Sequence, residues 1–334
     1  MFDVREAVNA YFGLAKSVRG LFLEQFELGN KYVRTVQLGP EFEGDICSLL
    51  VHSPDSIFFL KNDPFQLILT NHNGVVQKVW SLADAPLPGR YSEEYYFSTR
   101  NDQKPIVYGH TVYIPIMIMD YFSRKDRGKI PRFVSYDLTK NTWGQPFGIP
   151  SGMYQTDDKI DVPDDFAAPM LVRANDQLWV TFPLDHRIYR YDLTGTLLET
   201  ICTGSKYLTG WLQPPGLDSD IQQQTNYLLT APFFGPLHYH AEIALFSRVL
   251  FHETELQRPD GTLVQFSDRH RSIQYFDRNM NFLHEHLLDS KAGLFPGQYW
   301  VTGTGFVVSY IRSSGNLSEN ELSINTVLRI TQTN

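Results

Sequence analysis

Cysteine is scarce: Cys47 and Cys202 are the only two in 334 residues. They can build neither a disulfide scaffold nor a four-cysteine zinc site. No run reaches the roughly 20 uninterrupted apolar residues that a membrane-spanning helix needs. Basic residues are outnumbered, 29 Lys and Arg against 37 Asp and Glu, and the net charge is −8. That balance argues against a protein held to nucleic acid by neutralising phosphates. The chain also lacks a Gly-x-Ser-x-Gly elbow, a Gly-x-Gly-x-x-Gly turn and a phosphate loop. Hydrophobic residues make up 42%, too many for a disordered chain. What remains is a mildly acidic globular protein, long enough for two ordinary domains or one large all-β domain.

Aromatics are abundant, with 23 Phe, 18 Tyr and 5 Trp. Flat rings pack well across pleated sheets. The chain repeats a pattern of strand, loop, strand, tight turn, strand. Ser56 to Leu60 is followed by Phe65 to Thr70, the turn Asn71-His72-Asn73-Gly74, and Val75 to Leu82. The unit returns at Val112 to Met119, Arg132 to Leu138 and Thr142 to Ile149, and again at Gln177 to Phe182, Arg187 to Leu193 and Thr196 to Thr203. It recurs at Val249 to Leu256, Ser272 to Asp277 and Phe282 to Asp289. A fifth copy runs from Tyr299 to Thr302, through Gly305 to Ile311, to Leu322 to Thr331. Tyr136-Asp137, Tyr191-Asp192 and Phe276-Asp277 each set an aromatic before an Asp that opens a turn. Such an Asp caps turn N–H groups while the ring packs between sheets. Their unequal spacing places the extra residues in loops, which tolerate insertion.

Repeated four-stranded units of this size predict an all-β chain folded as a β-propeller. A β-sandwich is the competing architecture. Five units and a hairpin formed by Leu21 to Leu28 and Tyr32 to Leu38 give six blades, with five as the alternative. The hairpin reads as the outer strands of a blade that C-terminal strands complete, closing the ring and removing a free edge. Val4, Ala7, Val8, Tyr11, Phe12 and Ala15 fall on one helical stripe. Residues 1–20 are therefore expected as a helical segment before a single propeller domain at 21–334. Pro214 to Thr225 reads as a loop too short to divide domains.

Some stretches carry a family likeness. Leu38-Gly39-Pro40-Glu41 leads to Ser53 to Leu60; Leu178 to Phe182 leads to Arg187 to Leu193; Ala244 to Phe251 contains Arg248; and Tyr299 to Tyr310 follows. Over about residues 20–330 the chain resembles a TolB-like six-bladed β-propeller family of bacterial proteins of unknown function. The resemblance implies the fold and no catalytic residues. Members usually begin with a secretory or lipoprotein signal, whereas Met1 to Glu6 is charged and has no continuous apolar core. The resemblance thus implies an extracytoplasmic protein if the N-terminus is shortened, and a cytoplasmic one otherwise.

In a propeller, ligands gather where blade-entry loops and second-to-third strand loops converge around the channel. The second-to-third loops offer Lys61 and Asp63, Arg124 to Arg127, Asp185-His186-Arg187 and Arg269-His270-Arg271. The entry loops offer Glu41, Glu43, Asp45, Glu93-Glu94, Asp161 to Asp165 and His238-Tyr239-His240. Ligand-binding candidates are therefore Arg124, Arg127, Asp185, His186, Arg187, His238, Tyr239, His240 and Arg269, together with Arg248. The plainer reading of any one such loop is solvated charge. His238 and His240 point the same way in an extended segment, as half of a site for one divalent metal would. Glu242, His252 or Asp164-Asp165 could supply a third ligand; the competing reading has both rings bonded to backbone. His284-Glu285-His286 reads as solvated edge-strand charge, and Cys47 and Cys202 as small buried hydrophobes. The expected function is a non-catalytic scaffold without a cofactor, holding a small molecule, glycan or protein loop and no nucleic acid. The alternative is a metal-dependent propeller enzyme of the lactonase or lyase type, using His238 and His240.

Overall fold

The computed structural model of the chain describes residues 2–5, 10–17, 20–27, 31–53, 55–87, 95–97, 104–119, 121, 124, 127–155, 164–208, 210, 212, 214–215, 219–265, 269–288, 294–302, 305–312 and 324–329. These residues form six antiparallel sheets, each drawn from one continuous stretch of chain. Sheet one contains β1 (Phe2–Arg5), β2 (Ala10–Ser17), β3 (Gly20–Glu27) and β4 (Lys31–Gln37). Sheet two contains β5 (Ile46–Ser53), β6 (Ser56–Asn62), β7 (Phe65–Thr70) and β8 (Val76–Ser81). In sheet three the first position is filled in two pieces, β9 (Tyr95–Phe97) and β10 (Ile106–Tyr108), both paired to β11 (Thr111–Ile118). β12 (Phe133–Asp137) and β13 (Thr142–Trp143) complete it.

Sheet four holds β14 (Met170–Ala174), β15 (Gln177–Thr181), β16 (Arg187–Tyr191) and β17 (Leu197–Cys202). Sheet five holds β18 (Phe233–His240), β19 (Leu245–Phe251), β20 (Arg271–Phe276) and β21 (Phe282–Leu288). Sheet six holds β22 (Leu294–Thr302), β23 (Gly305–Arg312) and β24 (Ile324–Arg329). The first strands touch in chain order: β1 meets β5, β10 meets β14, β14 meets β18, and β18 meets β22.

Burial grades across sheets two to five. The second strands, such as β6 and β19, are buried on both faces and read as continuous apolar runs. The fourth strands β8, β17 and β21 are largely exposed. Aromatics fill the seams. Trp179 of sheet four lies 5.0 Å from Phe246 of sheet five, and Phe147 lies 5.3 Å from Tyr191. Each such ring pair adds about 1 kcal/mol beyond the area it buries. Polar tips also cross seams, with Trp80 Nε1 donating to Leu138 O at 3.0 Å and Tyr113 Oη to Leu193 O at 2.9 Å.

Three expectations are corrected. Residues 2–5 and 10–17 are strands, not a helix. Gly13 interrupts the helical stripe, Tyr11 and Phe12 favour strand, and β2 pairs with β3 from Ala10↔Glu27 to Ser17↔Gly20. Sheet one is therefore built wholly from N-terminal residues, and the C-terminal strands form their own sheet rather than completing it. The stretch read as a loop before Thr225 runs into a helix, α1 (Ile221–Thr230). Asp220 opens α1 with a capping box: its side chain accepts from Gln223 N at 2.7 Å, and Gln223 Oε1 accepts from Asp220 N at 3.0 Å. No described helix is long and apolar enough to cross a membrane.

Candidate ligand-binding site at the loop end of sheets four and five

Antiparallel order sorts the connections onto two ends. First-to-second and third-to-fourth turns lie at one end; second-to-third loops and the links between sheets lie at the other. The turn end is short. Asn71 Oδ1 accepts from Asn73 N and Val75 N, Asp137 Oδ1 from Thr139 N and Lys140 N, Asp192 Oδ1 from Thr194 N and Thr196 N, and Asp277 Oδ1 from Asn279 N and Asn281 N. Sheets two to five thus carry one Asx turn each at this end. Its bonds hold the Asp137 carboxyl below its ordinary range. Asp192 and Asp277 also lie below it, partial burial being outweighed by the bonds they accept.

The loop end carries a chain of side chains that links sheet three's exit, sheet four and sheet five. Asp185, 2% exposed, accepts from Tyr189 Oη at 2.5 Å and from Arg187 N at 3.0 Å. Ser151 N donates to Tyr189 Oη at 3.0 Å, and Ser151 Oγ bonds both Tyr189 Oη and Arg187 Nη1. Arg187 Nη1 also lies 3.7 Å from Asp185 Oδ1. The next link is the carbonyl of His186, which accepts from Thr203 Oγ1 and, at 3.4 Å, from Arg248 Nη2. Arg248 Nη2 also donates to Thr203 Oγ1 at 2.6 Å and Gln274 Oε1 at 3.1 Å, and its guanidinium lies over the Phe234 ring at 3.7 Å. Gln274 Nε2 donates to Gly204 O at 2.8 Å.

Glu285 forms the third link. It accepts from Ser205 Oγ and Ser272 Oγ at 2.7 Å each and from Lys206 N at 3.2 Å. Ser272 Oγ lies 2.9 Å from His252 Nε2, and the His252 ring stacks on Tyr207. The hydroxyl proton of Ser272 is committed to Glu285, so His252 donates to Ser272 and cannot act as its base. That order is the reverse of a nucleophilic triad, in which the histidine sits between serine and acid. Finally Arg269 clamps the end of α1, donating to Leu228 O at 3.0 Å, Ala231 O at 2.5 Å and His252 O at 2.7 Å. Its charge meets the negative end of the helix.

Burial sets the protonation. It draws Arg248 down to about 9, against the opposing pull of Asp185 and Glu285, and the guanidinium stays charged at neutral pH. Arg269 is likewise drawn down to about 9 by burial, then by Arg271. His252 falls to about 4 and His186 below its ordinary value, both chiefly through burial, so both rings are neutral at pH 7. The Tyr189 phenol is pushed up by burial and by Asp185.

The loop end brings Asp185, His186, Arg187, Arg248 and Arg269 into this one network. Arg124 and Arg127 belong to the neighbouring β11–β12 loop. Arg127 is fully buried there, with Nη1 on Arg124 O, and Arg124 Nε donates to Met119 O. His238, Tyr239 and His240 are not in an entry loop. They lie at the far end of β18, where His240 pairs with Leu245, because β18 starts at Phe233 and runs the length of the sheet. His240 Nε2 is 2.7 Å from Ser247 Oγ, and Tyr239 Oη donates to Asn175 Oδ1 at 3.4 Å. Among the described residues no three His, Cys, Asp or Glu gather so as to hold a metal.

Lys61 is buried on the carbonyls of Glu41 and Glu43. Glu93, Glu94 and 161–163 lie outside the described residues; 164–165 open a short 3-10 segment. Glu285 is 2% exposed, contrary to a solvated edge charge, while His284 and His286 are exposed as expected. Cys47 is buried, its thiol on Leu60 O, but Cys202 is exposed because it ends an outer strand. Ser151, Tyr189, Thr203, Ser205, Gln274 and Glu285 were not expected. A signal existed: Ser247, Arg248, Ser272 and Gln274 are polar residues inside middle strands, where both faces are covered.

No family model matches the chain, and no curated protein does. Solved structures do. A member of the DUF4221 family from Bacteroides vulgatus is 13% identical, covers 96% of this chain and 92% of its own, and superposes with a TM-score of 0.65. A putative exported protein from Bacteroides fragilis is 10% identical over 99% and 98%, with a TM-score of 0.52. The Pan2 WD40 domain of Neurospora crassa is 10% identical over 91% and 72%, with a TM-score of 0.42. The likeness concerns the fold alone and does not single out the TolB-like group. With its meandering antiparallel sheets of three to five strands each, the chain is an all-β protein of the β-propeller architecture.

Proposed function

We propose that the chain is a non-catalytic binding propeller, in which each of the six sheets is one blade of a single domain, and that the loop end of sheets four and five receives its ligand. The observation that carries this reading is the network from Ser151 to Arg269. Segments far apart in sequence converge there, and their polar groups fix one another's geometry. Rigid, pre-set polar groups at a loop end suit recognition, since little ordering remains to be done on binding. Catalysis is disfavoured by Ser272, whose proton is held by Glu285 within a fully buried site. A small molecule, a glycan or a loop of another protein would fit such an end. Capture on a glycan and peptide array tests the proposal. Wild-type protein is expected to retain one class of ligand, and Arg187→Ala to lose it while keeping its unfolding midpoint. Turnover of lactone, ester or glycoside substrates above background would overturn it.

A further inference from the structure

We infer that this loop end binds its ligand through a carboxylate, received by Arg187 beside the buried charge of Arg248. The inference rests on the reading of that end as a binding surface and adds the chemistry of what it binds. The first observation is Arg248. It is fully buried and charged, yet every acceptor it meets is neutral: His186 O, Thr203 Oγ1 and Gln274 Oε1. Its Nε and Nη1 are buried without a hydrogen-bond partner among the described residues. Among the described residues no carboxylate forms an ion pair with it: Asp185 and Glu285 pull on its charge from a distance while bonding Tyr189 and Arg187, and Ser205, Ser272 and Lys206, respectively. A buried cation with no carboxylate in direct contact is costly, and such charges cluster where they are used.

The second observation is Arg187, one residue beyond the carbonyl that Arg248 grips. Its Nη1 is tied to Ser151 and lies beside Asp185, which fixes the plane of the guanidinium. The guanidinium also bonds the Tyr189 hydroxyl, and the side chain is 28% exposed, so part of the fork faces solvent. Nε and Nη2 form the edge that meets a carboxylate with two parallel bonds. His186 and His252 add no charge at neutral pH, so the surplus at the seam is small. A monoanion matches that surplus; a phosphate monoester, carrying nearly two charges, would meet the Asp185 carboxylate behind Arg187.

Titration calorimetry of the full chain with D-glucuronate, its methyl ester and glucose 6-phosphate tests this at low and high salt. Glucuronate is expected to bind at least about tenfold more tightly than the ester, and more weakly as salt rises. Arg187→Gln and Arg248→Met are each expected to lower that affinity about tenfold or more. Arg248→Met leaves His186 O, Thr203 Oγ1 and Gln274 Oε1 without their donor, so its unfolding midpoint is expected to fall and its affinity is read well below that midpoint, whereas the half-buried Arg187→Gln carries the test on a stable fold. Equal binding of acid and ester, a preference for the phosphate, or no heat with glucuronate would each overturn the inference. If array capture is nevertheless lost in Arg187→Ala without an acid preference, the binding surface stands and only its chemistry is wrong.

Discussion

The two ends of sheets two to five are held by opposite means. At the turn end the Asx bonds are local: Asp137, Asp192 and Asp277 each reach N–H groups two to four residues ahead, and single side-chain bonds such as Tyr113 Oη to Leu193 O cross between sheets. At the loop end they are long-range: Ser205 and Glu285 are 80 residues apart, and Arg248 and Thr203 are 45 apart. The Asx bonds therefore shape each sheet by itself, whereas the connected network at the loop end ties sheets four and five together through several bonds at once. A ligand bound at the seam would draw on the second kind of order. The contrast also locates the costs. Exposed turns lose little when a bond is removed, while buried acceptors left without donors lose much.

The largest expected effect follows from that asymmetry. Arg269→Met leaves the carbonyls of Leu228, Ala231 and His252 without their donor in a buried setting. A loss of about 3 kcal/mol or more is expected in urea unfolding followed by tryptophan fluorescence. Hydrogen exchange should show α1 losing protection before the sheets do, since Arg269 holds its last turn. A loss below about 1 kcal/mol would break the comparison, because the loop end would then not depend on its long-range donors.

A second effect, smaller, depends on pH. His252 is held at about 4 in the folded chain against 6.5 in the unfolded one. Burial is the main cause; Glu285 opposes it, and His270 and Arg269 add to it. Between those values the unfolded chain binds a proton that the folded chain refuses, so its contribution is complete above pH 6.5 and is lost as the pH falls towards 4. After discounting for the partly solvated ring, the swing is about 1–2 kcal/mol. Unfolding midpoints of wild type and His252→Gln, compared across that window, should converge as the pH falls. Parallel curves would show that His252 is not held neutral by its surroundings.

The same contrast explains what could be read from the residues alone. Asn71, Asp137, Asp192 and Asp277 announce their turns because donor and acceptor lie within one short segment. The sheets were legible for the same reason, since each is one continuous stretch of chain with its strands in order. Asp185, His186 and Arg187 were found by their place in a second-to-third loop. Glu285 was not, because nothing in an outer strand flanked by exposed His284 and His286 reveals a buried acceptor whose donors lie in Ser205, Lys206 and Ser272. His238 to His240 were placed in an entry loop, whereas β18 already begins at Phe233 and carries them to its far end. The strands β1 and β2 were missed because six apolar residues at helical spacing also fit a chain that pairs along β3.

The smallest effects belong to the turn end. Asp137→Ala, Asp192→Ala and Asp277→Ala should each cost about 1 kcal/mol, the worth of a local cap in a solvated setting. The three sites lie in different sheets and share no partner, so the triple variant should lose the sum to within about 0.5 kcal/mol. Asparagine provides the internal control. Its side-chain carbonyl can accept the same two N–H bonds, as Asn71 does in sheet two at 2.9 and 3.1 Å. Each Asp→Asn variant should therefore keep most of the stability that Asp→Ala loses. Matching Asn and Ala losses would mean the carboxylate charge, not the turn bond, stabilises this end; non-additive losses would mean the turns of neighbouring sheets are coupled, and the two ends would then differ less than their bonding suggests.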